Sequence, residues 1–295
     1  MVRHASRSGH AGLERSCKAP SRDWVHSCDA GGGVQLLSAW FRGHAFDRHR
    51  HDTYVIARTE TGVQAFDYRG ATVASTPGEV LVLHPDEAHD GRAGSAAGFG
   101  YHAIYVEPAR MSEALRVLCG RPCALPFVRE TVSRHRALSR AITAAFRSEP
   151  EPMALDSLVL GLAEGLLDAA PGGERSAVPR HFDVATVDRA RQFLDAATDR
   201  VVRTAELEAV AGLTRYDLAR QFRALLGTSP YRYSLMRRLD RARENIERQS
   251  PLATVALATG FADQAHLTRQ FKAAFGLTPA RYAALKAPRA PAQAT

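Results

Sequence analysis

One block of sixteen residues is written twice in this chain, 49 residues apart. Leu218-Ala-Arg-Gln-Phe-Arg-Ala-Leu-Leu-Gly-Thr-Ser-Pro-Tyr-Arg-Tyr233 returns as Leu267-Thr-Arg-Gln-Phe-Lys-Ala-Ala-Phe-Gly-Leu-Thr-Pro-Ala-Arg-Tyr282, identical at nine positions. Repetition that dense implies one structural unit used twice. Two copies are too few for a solenoid, so the constraint is on what a pair of such units binds.

Each copy is written as a helix, a cap and a second helix. In the first, Thr214 is placed as N-cap with Asp217 three residues on, and Leu218, Phe222 and Leu225 fall on one face. Gly227 stands where the chain needs positive φ, and Ser229-Pro230 supplies the cap and first position of the next helix. Asp263, then Leu267, Phe271, Phe275, Gly276 and Thr278-Pro279 repeat that grammar. A short helix precedes each unit, Thr204 to Ala211 before Gly212 and Pro251 to Thr259 before Gly260. A short helix, a glycine turn and a second amphipathic helix make a helix-turn-helix.

The solvent face of each second helix carries donors suited to DNA. The first offers Arg215, Tyr216, Ala219, Arg220 and Arg223; the second offers Gln264, Ala265, His266, Thr268, Arg269 and Lys272. Arg and Gln form bidentate bonds to guanine and adenine edges, while Arg223 and Lys272, one turn further on, suit phosphates. A charged helix face is usually a solvated surface. Arg at the same outward position of both copies, Arg220 and Arg269, is not explained by core packing. Met236, Leu239, Ala242 and Ile246 make the segment between the units, Tyr231 to Gln249, a helix of roughly 28 Å, a length suited to placing two recognition helices about one DNA turn apart. Residues 181 to 286 hold 17 Lys+Arg against 11 Asp+Glu, a net of +6, a balance that supports phosphate attraction.

These residues resemble the C-terminal DNA-binding domain of the AraC/XylS family of transcriptional regulators over roughly residues 184 to 286, most specifically in Gly260-Phe-Ala-Asp-Gln-Ala-His-Leu-Thr-Arg-Gln-Phe-Lys, Phe275-Gly276 and Pro279 to Tyr282. The resemblance implies base or phosphate contacts at Tyr216, Ala219 and Arg220, and at Gln264, Ala265, His266, Thr268 and Arg269. Two positions depart from its pattern. Glu208 stands where the family favours a small residue and the second copy has Ala256, and Ala219 and Ala265 offer a base only a methyl contact.

The remaining chain is long enough for a second core, since 295 residues exceed what one such domain uses. The net charge of +8 fits a polyanionic partner. Cys17, Cys28, Cys119 and Cys123 lack zinc-finger or disulfide-framework spacing; Cys119-x-x-x-Cys123 could in principle hold a metal or sense oxidants, but plain free thiols are expected. No apolar run reaches the roughly 18 residues of a membrane span, and residues 1 to 24 lack a signal peptide's apolar stretch, so a cytoplasmic protein is expected.

From Val34 to Val106 the pattern turns to short strands: Val34–Phe41, Thr53–Ala57, Gly62–Tyr68, Glu79–Leu83 and Gly100–Val106. Gly43-x5-His49-x-His51 and Gly78-x5-His84-Pro85-x-Glu87-x-His89 resemble the two halves of a cupin barrel, the effector-sensing domain that commonly precedes an AraC-type DNA-binding domain. A pocket drawn from Trp40, His49, His51, Tyr54, His84 and His89 is the expected effector site. His49, His51 and His89 are of a type that can bind a divalent metal from neighbouring strands, and several of these histidines could instead satisfy strand-end hydrogen bonds. Enzymatic cupins also place a Glu shortly after the His pair, where this chain has Tyr54-Val55-Ile56, so neither a metal, a cofactor nor an enzyme is expected.

Residues 108 to 170 read as helical. Leu155, Leu158, Val159, Leu162, Leu166 and Leu167 form a stripe that either packs on the barrel or pairs with a second copy, giving a homodimer through residues 153 to 170. The expected organisation is a disordered segment 1–33, a cupin-like barrel 34–107, a helical segment 108–170, a linker 171–182, an AraC-type DNA-binding domain 183–287 and a tail 288–295. The fold class is α+β in two domains: a cupin-like β-barrel with a helical extension, then an all-α domain of two helix-turn-helix motifs joined by a linker helix. The expected function is an effector-responsive, sequence-specific DNA-binding transcriptional regulator. Its partners would be double-stranded DNA, a small molecule and RNA polymerase. A cupin-type metalloenzyme tethered to DNA and a constitutive DNA-binding regulator with an inert barrel are the competing readings.

Overall fold

The computed structural model describes residues 23–147, 152–171 and 182–286. Ten strands come almost all from the first part of the chain: β1 (Trp24–Gly31), β2 (Val34–Phe41), β3 (His44–His49), β4 (Tyr54–Gly62), β5 (Gln64–Tyr68), β6 (Ala71–Ser75), β7 (Val80–Leu83), β8 (His89–Ala93) and β9 (Phe99–Val106), with β10 (Val132–Ser133) arriving later. They form a six-stranded sheet, β1-β2-β9-β4-β7-β10, facing a four-stranded sheet, β3-β8-β5-β6. The ladders are thus two sheets rather than one closed ring of hydrogen bonds.

Side-chain alternation along the large sheet builds two cores at once. Leu36, Tyr54, Ile56, Val82 and Ile104 point to one face, against helices α1 (Pro108–Cys119), α2 (Arg136–Ala145) and α3 (Pro152–Ala169). Ala39, Phe41, Val55, Leu81, Phe99 and Ala103 point to the other, against Phe66 and Tyr68 of the small sheet. Burial on both faces makes β7 apolar at every position, which is why it is legible as a strand. The small sheet is different. His44-Ala-Phe-Asp-Arg-His49 and His89-Asp-Gly-Arg-Ala93 carry charge within the strand, and hydrophobic pattern does not announce them.

One expectation changes here, and one pair of alternatives is decided within the protomer. Trp24–Gly31 is not a disordered lead-in but an edge strand paired with β2, from Trp24 opposite Trp40 to Gly31 opposite Val34. Only Val25 of it is buried, so its sequence lacks an apolar face. The remainder of the expected lead-in, residues 1–22, most of the expected linker, 172–181, and the tail from 287 lie outside the described residues. The apolar stripe of α3 is spent within the protomer: Leu155, Val159, Leu162, Leu166 and Leu167 join α1, α2 and the sheet in one core. Among the described residues Cys28, Cys119 and Cys123 are not joined in disulfides, and no helix is long and apolar enough to cross a membrane.

Seven helices complete the described residues: α4 (Val184–Ala196), α5 (Thr204–Ala211), α6 (Arg215–Leu226), α7 (Pro230–Glu247), α8 (Leu252–Ala258), α9 (Gln264–Phe275) and α10 (Pro279–Lys286). Two small cores lie among them. One gathers Leu194, Leu207, Leu218, Phe222 and Leu225, the other Leu239, Ile246, Val255, Leu267 and Phe271. α7 joins the two, giving Tyr233 to the first and Met236, Leu239, Ala242 and Ile246 to the second. Its 18 residues span roughly 27 Å.

Candidate nucleic-acid interface and effector cavity

The two recognition helices, α6 and α9, begin and end alike. Thr214 and Asp263 accept the N–H of Asp217 at 3.2 Å and of His266 at 2.6 Å. Gly227 and Gly276 close the helices at φ of 69° and 70°. Outward-facing side chains include Arg215, Tyr216, Arg220 and Arg223 on α6, and Gln264, Ala265, Arg269 and Lys272 on α9; Ala219, His266 and Thr268 are half-buried. Arg220 makes an exposed ion pair with Asp217, 2.9 Å, that a phosphate or base edge can replace. Glu208 is not a packing fault. Its Oε1 accepts the N–H of Arg215 at 2.7 Å, capping the start of α6 with a carboxylate where the helix dipole favours one.

The repeated residues divide by role. Leu218/Leu267 and Phe222/Phe271 fill the cores. Gln221 is buried and accepts the N–H of Asp183 at 2.7 Å, so it anchors α4 rather than facing a base. The tyrosine hydroxyls each donate to a carboxylate on an earlier helix, Tyr233 to Asp195 and Tyr282 to Glu247. The paired arginines leave their own domain. Arg232 donates to the carbonyl of Arg50, and Arg281 to that of His44 at 3.0 Å, so the two grip opposite ends of β3.

The grip belongs to a broad contact between the sheet domain and the helical domain. The Asp47 N–H donates to Gly276 at 2.9 Å, the Arg50 N–H to Ala273 at 3.3 Å, and the Asp47 carboxylate takes Lys272 at 2.7 Å. In this arrangement Lys272, expected to meet phosphate, is paired instead with the sheet domain. On α7, Arg237 is largely enclosed by Asp52, Glu107 and Asp240, and Arg243 reaches Gln35 at 3.0 Å. Burial pushes the Asp52 carboxyl up, against the pull of Arg237. Arg237 itself is pushed above its ordinary value by the carboxylates around it, which outweigh its burial.

A cavity of about 760 Å³ lies between the sheets and is closed on one side by α7. Of the six residues expected in the effector pocket, His49, His51 and His89 line it. Trp40, Tyr54 and His84 do not. Strand alternation sends Tyr54 to the helix side while its neighbour Val55 faces the cavity, and the Tyr54 hydroxyl donates to the Pro126 carbonyl at 2.8 Å. His84 is held by Tyr68 and by the N–H of Val128. Residue type picked these side chains from the sequence, and parity excludes them. Gln64, Tyr101 and Tyr105 of the strands, and Met236, Arg237 and Arg243 of α7, supply wall that pattern did not announce.

Comparison with known proteins agrees with both halves. Residues 31–163 match the model of the AraC-like ligand binding domain, and residues 207–284 match a helix-turn-helix domain. The HTH-type transcriptional regulator YbfI of Bacillus subtilis strain 168 is 28% identical over 225 residues, 75% of this chain and 81% of that one. LumQ of Photobacterium leiognathi, a probable transcriptional regulator, is 33% identical over 90 residues, 28% of this chain and 36% of that one. The fold is shared with apo ToxT from Vibrio cholerae (TM-score 0.62, 12% identity, 87% of this chain and 99% of that one). It is likewise shared with ToxT bound to an unsaturated fatty acid (TM-score 0.62, 11% identity, 88% and 97%). A ligand-binding sheet domain followed by paired helix-turn-helix units, matched in that order, places this chain in the AraC family of transcriptional regulators.

Proposed function

We propose that this regulator reads its operator with α6 and α9 while a small organic effector in the cavity sets how the two domains sit together. Base and phosphate contacts fall on Arg215, Tyr216, Ala219, Arg220 and Arg223 of the first unit. In the second they fall on Gln264, Ala265, His266, Thr268 and Arg269, with Lys272 joining once Asp47 releases it. The observation that carries the effector half is the cavity wall: Met236, Arg237 and Arg243 belong to the helix that joins the two DNA-binding units. A molecule filling that space touches both domains, and so has different contacts in different domain arrangements, as regulation requires. ToxT, which shares the fold, has been seen with a fatty acid bound, and a cavity of this size suits a small organic molecule. RNA polymerase is the partner on which such a regulator acts at a promoter. A homodimer through residues 153–170 would use the outward face of α3, where Met153, Asp156 and Glu164 are exposed.

Two measurements test this. Arg269→Ala should cost roughly 1–3 kcal/mol of affinity for the operator found by footprinting, with little change on random DNA. A loss of only a few tenths would remove α9 from the base-reading role. A thermal-shift screen of metabolites should find a compound that raises Tm and also changes operator affinity. A compound that raises Tm without altering DNA binding would favour the inert-domain reading.

A further inference from the structure

His49, His51 and His89 come from the end of β3, the loop after it and the start of β8, and all three are buried. One ring nitrogen of each lies within 4.8 Å of the other two. Each Nδ1 lies beside a backbone carbonyl: His49 meets that of Asp47 at 2.8 Å, His51 that of Thr53 at 3.2 Å with the Thr53 hydroxyl at 3.1 Å, and His89 that of Glu87 at 3.0 Å. A carbonyl oxygen only accepts, so the neutral rings of His49 and His89 carry the proton on Nδ1 and a bare lone pair on Nε2, and the His51 ring does the same where the Thr53 hydroxyl beside its Nδ1 turns its own proton elsewhere. Three acceptors therefore converge, and the buried Nε2 of His51 has no hydrogen-bond partner. A water molecule has two protons to offer three lone pairs. A divalent cation engages all of them.

We propose that His49, His51 and His89 are the ligands of a divalent transition metal of the Zn²⁺ class, bound through Nε2 with its remaining position open to the cavity. Imidazole suits such ions, and a back-side Nδ1–H to carbonyl bond is the arrangement that orients metal-bound histidines. Tetrahedral Zn–N bonds place ligand nitrogens about 3.3 Å apart, so the rings close in by an ångström or so on loading. The sequence expectation of no metal rested on the missing carboxylate, but three neutral nitrogens suffice for a site with an open position.

Loading has a route to the DNA-binding units. Asp47 accepts the His49 Nδ1–H, donates its own N–H to the carbonyl of Gly276 and holds Lys272. A Cβ on Gly276 would lie 2.8 Å from His49 Nδ1, so the C-terminal end of α9 rests on the back of that ring. Drawing His49 toward a metal moves the residue that seats α9. This second half rests on the reading of α9 as a DNA-recognition helix.

The test uses the full chain, stripped with a chelator and titrated with Co²⁺ and then Zn²⁺ in the absence of DNA. One equivalent should bind, with the visible bands of tetrahedral cobalt, and Zn²⁺ should displace it. His51→Gln and His89→Gln should each weaken binding by more than about 100-fold, beyond what loss of an outer-shell partner does. Circular dichroism of the stripped variants should match the parent; if one variant fails to fold, the other carries the comparison. Absence of saturable binding, or binding indifferent to both substitutions, would overturn the site. Operator affinity should then differ by about fivefold or more between stripped and Zn²⁺-loaded protein. Equal affinities with metal bound would overturn the link to α9. Failure to bind any operator in either state, beside an intact cobalt titration, would sustain the metal site and count against the DNA-reading assignment.

Discussion

Arg237 of α7 lies 3.1 Å from Asp52, a carboxylate only 1% exposed in the loop between β3 and β4. The pair joins the two domains through a helix that also walls the cavity, and Glu107 and Asp240 complete its surroundings. Removing one partner of a buried pair leaves charge without compensation, which costs roughly 3–5 kcal/mol. Arg237→Leu should therefore lower the urea midpoint of the whole chain by a corresponding amount. An unchanged midpoint would mean that the domains do not meet here in solution.

The exposed pair of Asp47 with Lys272 should behave oppositely. Both side chains are close to half exposed, so the pair contributes less than about 1 kcal/mol to stability. Asp47→Ala frees a cation on a recognition helix. Titrating nonspecific DNA affinity against salt should show tighter binding and a log–log slope steeper by about 0.9, the signature of one added phosphate contact. A parallel, unshifted line would mean that Lys272 never reaches the duplex.

Glu208 caps α6 through the N–H of Arg215. Glu208→Ala gives the first unit the residue found in the second, Ala256, but removes that cap. The cap outweighs the gain in uniformity, and a loss of about 1 kcal/mol in chemical denaturation is expected. A more stable variant would show that packing of the turn, not capping, governs the position.

His84 ties stability to pH. Its Nε2 accepts the Val128 N–H at 3.0 Å, Arg69 and Glu87 flank it, and Tyr54 and Tyr68 pack beside it. Burial first, and then the Arg69 charge, push its pKa down from the ordinary 6.5 to about 4. A depressed folded-state value means the fold holds the neutral ring. Its contribution is complete above about pH 6.5 and is lost progressively as the pH falls toward 4, when the unfolded chain takes the proton first. Between about pH 7 and pH 5 the parent should lose about 2 kcal/mol more stability than His84→Gln. Equal losses would place the sensitivity elsewhere.

The duplicated block disclosed the DNA-binding units almost to the residue, because the signals involved are local. Thr214 and Asp263 cap, Gly227 and Gly276 turn, and Phe222 and Phe271 recur at helical spacing, each set by the backbone within a few residues of itself. The strands buried on both faces were legible for the same reason. β1, β3 and β8 were not, since an edge strand and a polar sheet carry little hydrophobic pattern.

Local signals alone thus established that this chain carries two helix-turn-helix units behind a strand-rich domain, and most of the outward side chains those units present. They said nothing of what lies between the domains. The identity of Arg232 with Arg281 is visible in the text of the chain, but their shared hold on β3 needs residues some 180 and 237 positions away. The same folding made Tyr54 face the helices, turned Arg237 into a cavity wall and brought His51 to His89. Such contacts depend on register and on the angle at which two domains meet, and those are properties of packing summed over the whole molecule, written at no single position.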